Sequence, residues 1–536
     1  MVPWDLYNKS RIKGERKMSF MNAIMNELND EFNVSVTENG AVGYRTTGKA
    51  LLDLNFNVAS LRRASEAEIV QKFIKSFAED PVLAMKWLFF ARDAREGLGE
   101  RRLFRVVIAA LMKSNPEIVL PVIKLIAEYG RFDDMWCLLD NKQSAKVVYK
   151  IVDDQLAEDL KNMKAGKSIS LLAKWMPSTH ASSQQTRKYA RQLRKALGLT
   201  EQEYRKALSK FRKYLDVVEV KMSAKNWSEI NYETVPSRAN LIYNNAFLRN
   251  DEERRREYLG KLEKGEAKIN ASVLYPHDIV HRYMKEGYWS DTLKPKDATL
   301  EELWKALPDN VEGCGNTIVV ADGSGSMTTT VGGTNVTALS VANALAIYFA
   351  EHSSGEFKDK YITFSERPEL VDFSRCQSLH GKIQKALAHN EVANTNIEAV
   401  FDLILTTATK NNMTQEEIPQ NILIISDMEF DGCATCGNNN SWYSVNRPSQ
   451  KLFDTIAQKY AAAGYKLPRL VFWNVDSRTG TIPVKENDLG VALVSGFSTN
   501  ICKMVMSNQT DPYECLLEIL NSERYDAVET AIKKAV

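Results

Sequence analysis

Five oxygen-bearing residues stand out for the chemistry their spacing permits. In Asp322-Gly-Ser324-Gly-Ser326 hard oxygen donors occupy alternate positions, and the intervening glycines let the backbone curl until all three converge. Taken alone, such a stretch is equally an ordinary flexible turn. Thr395, in Asn394-Thr395-Asn396, and Asp427, closing Ile422-Leu-Ile-Ile-Ser426-Asp427, would add a hydroxyl and a second carboxylate. Two carboxylates with neutral hydroxyls suit Mg2+ or another divalent cation, which takes about six oxygens and keeps waters readily. They also leave the ion under-neutralised. No nucleophile, base and orienter are organised around them, so the expectation is a non-catalytic site.

Each of these residues must be delivered by the end of a strand or the start of a helix. Ile318-Val319-Val320 has the apolar character of a buried parallel strand, and Ala338 to Phe349 follows at helical spacing. The pattern predicts strands over 317–322, 360–364, 421–426, 469–474 and 491–494. Helices are expected over 338–351, 379–388, 397–410 and 449–463, with terminal helices from about 498 and 512. That alternation builds a doubly wound α/β sheet, and ligands bind at the carboxyl edge of such a sheet because several loops meet there. Asp322, Ser324, Ser326, Thr395 and Asp427 together resemble the metal-ion-dependent adhesion site of a von Willebrand factor A domain. By that resemblance, a carboxylate or phosphate from a partner would complete the ion's shell.

The first half has helical periodicity. Glu66 to Ala78 sets Ile69, Phe73, Ile74 and Phe77 on one stripe, Pro81 opens a second helix through Phe90, and Leu103 to Met112, Ile118 to Tyr129 and Ser144 to Leu160 continue the series. Short, closely spaced helices must bury their apolar faces on their neighbours, as the pairs of a solenoid do. No crisp repeat marks them, so the chain divides into an all-α region over 1–310, expected to be a degenerate HEAT-like solenoid with an irregular helical domain as the alternative, and the α/β domain over 311–536.

A formal net charge of +2 implies no uniform polyanion-binding surface, so the distribution of charge matters more. Arg187, Lys188, Arg191, Arg194, Lys195, Arg205, Lys206, Lys210, Arg212 and Lys213 crowd one stretch with few acids. Clustered Lys and Arg release counterions on binding phosphate, which makes this stretch a candidate RNA-backbone surface. Tyr189, Tyr204, Phe211 and Tyr214 are interleaved with it. They could stack on unpaired bases, although each taken singly reads better as helix core.

Other signals are weaker. No run approaches the roughly 20 apolar residues needed to cross a bilayer, and the N-terminus lacks the charged-then-apolar order of a signal peptide; the expectation is a cytoplasmic protein without a membrane partner. Cys433-Ala-Thr-Cys436 lacks the second Cys/His pair of a zinc site. His277 and His281 stand four apart, but the glutamate that would follow the first histidine of a zinc protease is replaced by Asp278. The charged residues from Arg92 to Arg102, set around Gly97 and Gly99, read as a structural ion-pair network joining adjacent helices, with a ligand site as the alternative.

Further segments carry a broader resemblance. They are Glu38-Asn-Gly-Ala-Val-Gly-Tyr44, Arg92-Asp-Ala-Arg-Glu-Gly-Leu-Gly-Glu-Arg101, Gly130-Arg-Phe-Asp-Asp134, Leu172-Ala-Lys-Trp-Met-Pro-Ser178 and Ile424-Ile-Ser-Asp-Met-Glu-Phe430. With Phe472-Trp-Asn474 and Val494-Ser-Gly-Phe497 they resemble a family of bacteria, phages and plants that shares its two-part plan with the Ro (TROVE) ribonucleoproteins. The resemblance implies helical repeats, closed into a ring in Ro proteins, joined to a von Willebrand factor A domain. It implies binding of small non-coding RNAs and of misfolded RNA ends, for RNA handling or quality control. The alternative is a protein-interaction scaffold that recruits an acidic partner through the metal.

Overall fold

The computed structural model describes residues 32–39, 42–284, 293–311, 316–332, 334–364, 367–389, 397–430, 450–483, 491–502 and 511–534. The chain forms a mostly helical N-terminal region and a C-terminal domain built on a mixed sheet.

Caps set the early helices. Ser65 accepts from the Glu68 amide to open Glu66–Glu79, and Asp80 accepts from the Leu83 amide with Pro81 at the first helical position of Pro81–Arg92. Every residue from Ala84 to Arg92 is buried, which makes this helix a central one rather than an amphipathic surface helix. The single helix expected from Ile118 to Tyr129 is broken into Pro116–Val119, a 3-10 stretch Leu120–Leu125 and Ile126–Tyr129. Pro121 has no amide proton with which to continue the α-helical ladder.

The all-α expectation for the first region needs one correction. Val34–Val36 (β1) and Val42–Tyr44 (β2) pair antiparallel, and Tyr44 exchanges both backbone hydrogen bonds with Ile482. Strands of three residues are too short to show a period, and this pair is held by a partner far along the chain.

The C-terminal strands are Thr317–Asp322 (β3), Lys360–Phe364 (β4), Leu370–Asp372 (β5), Asn421–Ser426 (β6), Arg469–Asn474 (β7) and Val491–Ser495 (β8). They lie in the order β5-β4-β3-β6-β7-β8, all parallel except β5, which runs antiparallel along β4. β3 and β8 are buried at every position, as continuous apolar runs in a sheet covered on both faces must be. The short β5 escaped the sequence pattern. The register pairs Val320 with Ile424 and Ala321 with Ile425, so the carboxyl ends of β3 and β6 emerge side by side.

One apolar core runs through both regions, and a smaller one gathers Tyr232, Phe247, Tyr258 and their neighbours. Near the C-terminus, Asp526–Lys533 packs against Pro81–Arg92, and the Tyr525 ring stacks on Tyr129 at 5.7 Å and meets Phe90 edge-on at 6.0 Å. Packing therefore crosses the sequence boundary near 310. No helix among the described residues is long and apolar enough to cross a membrane.

Candidate functional site

The adjacent ends of β3 and β6 deliver the two carboxylates. Asp322 accepts from the Ser324 amide at 2.9 Å through Oδ1 and from the Ser426 hydroxyl at 2.6 Å through Oδ2. The Ser324 and Ser326 hydroxyls lie 2.9 Å apart. Asp427 accepts from the Glu429 amide at 3.2 Å through Oδ1, and the intervening Met428 takes φ +62°, a left-handed conformation that costs energy for a side-chain-bearing residue. Asp322, Ser324, Ser326 and Asp427 are thus brought together, while Thr395 lies outside the described residues.

Both carboxylates are buried, Asp322 at 1% and Asp427 at 0% exposure. Burial, reinforced by the Asp427 charge, raises the Asp322 carboxyl to about 7. Burial also raises Asp427, against the opposing pull of Arg478. Asp427 Oδ2 accepts no hydrogen bond from a described residue, although the Arg478 guanidinium stands 3.3 Å away. A pair of buried carboxylates with an unused acceptor and two hydroxyls alongside calls for positive charge, and the donor set fits a hard divalent cation. Asp322, Ser324, Ser326 and Asp427 are the residues that would hold it.

Three residues at this edge were given no role in the sequence reading. Glu429 is buried, and its carboxylate accepts from the amides of Glu38, Arg478 and Thr479 at 2.9, 2.7 and 2.9 Å. Arg478 donates through Nε to the Glu38 carboxylate at 2.8 Å and through Nη1 to the Ser326 carbonyl at 3.3 Å. Glu38 and Glu429 fall in segments already singled out for their resemblance, which was the available signal; Arg478 sits in a polar loop that offered none.

The basic stretch lies on two helices, Gln184–Ala196 and Glu201–Tyr214. Its ten cations divide by task. Arg187 donates to the Ala181 and Ser182 carbonyls, Arg194 to the Leu199 carbonyl, and Arg212 to the Ala173 and Met176 carbonyls, while Lys188 pairs with Asp140 at 2.6 Å. Arg191, Lys195, Arg205, Lys206, Lys210 and Lys213 are exposed. Of the interleaved aromatics, Tyr204 and Phe211 are buried, and the Tyr204 hydroxyl donates to the Pro177 carbonyl. Tyr189 and Tyr214 spend their hydroxyls on Asp140 and the Lys167 carbonyl.

The segment Arg92–Arg101 and the segment Gly130–Asp134 meet in the expected ion-pair network. Asp134 accepts from Arg92, Arg101 and Arg105 at 2.7, 3.1 and 2.8 Å. Burial works to raise its carboxyl, but Arg92, Arg105 and Arg101 together hold it below the usual range. His277 is buried between Tyr275 and Phe497, with ring centroids at 5.7 and 5.0 Å, and no cluster of three or more His, Cys, Asp or Glu suited to a metal occurs among the described residues. Cys433 and Cys436 lie outside them.

Comparison with known proteins places these parts. Residues 37–139 and 180–317 match the family model described as Domain of unknown function (DUF2828), and residues 316–535 match Domain of unknown function (DUF7788). The crystal structure of the Deinococcus radiodurans Ro (RSR) protein is a distant likeness, at 12% identity and a TM-score of 0.39 over 81% of this chain and 93% of that one. The Uncharacterized protein L728 of Acanthamoeba polyphaga mimivirus is 30% identical over 528 residues, 91% of this chain and 87% of that protein. By that near full-length match the chain belongs to the family of this mimivirus protein, with the DUF2828 and DUF7788 domains in succession along it.

Proposed function

We propose that this protein binds RNA, small non-coding or misfolded with single-stranded ends, and acts in RNA handling or quality control without catalysing a reaction. In this reading the helical region is a HEAT-like, Ro-like solenoid. The sheet domain is of the von Willebrand factor A type, with Mg2+ held by Asp322, Ser324, Ser326, Asp427 and, from the sequence, Thr395.

The observation that carries the reading is unspent charge. Arg191 and Lys195 stand four apart on one helix, and Lys206, Lys210 and Lys213 follow at helical spacing on the next, with Arg205 beside them. All are exposed, and none forms an ion pair with a described residue. Like charges at such spacings repel, and a polyanion relieves that repulsion while releasing its own counterions.

The test is binding of the nuclease-treated protein to a structured RNA with a single-stranded 3′ tail, across a salt series, in Mg2+ and in chelator. Tight binding with a steep salt dependence in both conditions is expected. Reversing Lys206, Lys210 and Lys213 to Glu lowers the salt slope by about 2 if each meets one phosphate of a single strand. Absence of binding in both conditions overturns the RNA reading and puts a metal-dependent protein scaffold in its place.

A further inference from the structure

The chain has put a cation of its own beside the proposed metal centre. The Arg478 guanidinium lies 3.3 Å from Asp427 Oδ2 and 3.3 Å from the Ser326 carbonyl, and its Nε donates to Glu38 at 2.8 Å. Its side chain is only 15% exposed. One guanidinium therefore bridges an acid of the metal centre and an acid of the N-terminal hairpin. The rest of the hairpin is tied to the residues flanking those two. Thr37 Oγ1 donates to the Phe430 carbonyl at 2.6 Å, the Glu38 amide to the Glu429 carboxylate at 2.9 Å, and Asn39 Nδ2 to the Glu429 carbonyl at 2.7 Å. On the other side, Ser35 meets Thr481 at 2.9 Å, and Tyr44 pairs with Ile482.

We propose that the N-terminal hairpin is an internal ligand of this sheet edge, latched by Arg478, and that a divalent cation and the docked hairpin oppose one another. This rests on the reading of Asp322 and Asp427 as cation ligands. Two positive groups cannot share the single free oxygen of Asp427 at ordinary distances without strong repulsion in a buried setting. A dication at that carboxylate drives the guanidinium away, and Arg63, which pairs with Asp476 close by, adds to the repulsion. Arg478 then no longer joins Glu38 to the sheet edge, and the hairpin is left with its other contacts, among them the neutral hydrogen bonds and those to Glu429. Because coupling is reciprocal, whatever loosens the hairpin also raises the affinity for the ion.

The full chain is titrated with Mg2+ by calorimetry, and amide hydrogen exchange over 34–44 is followed with and without the ion, for the native protein and for Asp322→Ala, Arg478→Gln and Glu38→Gln. Arg478→Gln is expected to bind Mg2+ roughly tenfold more tightly, and saturating Mg2+ to speed hairpin exchange in the native protein roughly tenfold. Should Arg478→Gln fail to fold, Glu38→Gln, altered on an exposed side chain, carries the test. Its hairpin should exchange fast without the ion and gain little more with it. If the native protein and Arg478→Gln bind Mg2+ equally while Asp322→Ala binds none, the metal centre stands and the latch is overturned. Slower hairpin exchange in Mg2+ overturns it too. If no variant binds Mg2+ at millimolar concentration, the metal reading falls and the latch with it.

Discussion

Arg524 donates to the buried Asp93 carboxylate at 2.8 and 3.2 Å, joining residues 431 positions apart and locking the start of Asp526–Lys533 onto the end of Pro81–Arg92. The adjacent Tyr525 hydroxyl reaches the same carboxylate at 3.4 Å, and the Tyr129 hydroxyl donates to the Arg524 carbonyl at 2.6 Å. Asp93 belongs to the charged segment around Gly97, so that segment joins the two regions of the molecule as well as neighbouring helices.

Arg524→Ala leaves Asp93 buried without its counter-charge. The expected loss is about 3 kcal/mol, the scale for removing one partner of a buried pair. A lowered urea midpoint, with faster amide exchange in Asp526–Lys533, would register it.

Stability should fall in mild acid through His277. Burial lowers its imidazole from 6.5 in the unfolded chain to about 4 in the fold. The unfolded state therefore binds more protons between those values, so this contribution is present above about pH 6.5 and is lost as the pH falls toward 4. Roughly 2 kcal/mol should go between pH 7 and 5, measured by urea denaturation, and His277→Gln should remove that part of the pH dependence.

Gly130 admits no side chain. A Cβ there would lie 2.6 Å from Asp134 Oδ2 and 2.9 Å from Arg92 Nε, within the ion-pair network. Gly130→Ala should cost about 1–3 kcal/mol through forced movement of that buried pair, visible as a lower melting temperature.

Neighbouring cations should separate by role. Arg212→Ala forfeits two charged hydrogen bonds to the Ala173 and Met176 carbonyls, for about 2 kcal/mol of stability. Lys213→Ala should stay within about 0.5 kcal/mol of the native protein and weaken RNA binding instead. Paired unfolding and RNA titrations distinguish the two.

The longer elements of the C-terminal sheet domain were legible because they announce themselves locally. Asn421–Ser426 is an apolar run bounded by polar residues, and Ala338–His352 is an alanine-rich apolar stretch, too long for a strand and buried almost all round, so length and burial together dictate their conformation. The loop Asp322-Gly-Ser324-Gly-Ser326 was legible for the same reason, since its donors and glycines are contiguous. The short β5, the hairpin β1–β2 and the break at Leu120–Leu125 were not, being too short for any period or governed by one proline.

Only the tertiary structure decided what surrounds the carboxylates and which cations are free. Nothing local to Arg478 links it to Glu38, 440 residues away, or to Asp427. Nor does the spacing of Arg187, Arg194 and Arg212 reveal that they are spent on backbone carbonyls while Lys206 and Lys210 face solvent. Periodicity reports which residues must be buried. A charged group's partner is settled by where the folded chain brings the opposite charge or an open carbonyl, and that is a property of the packing of distant segments.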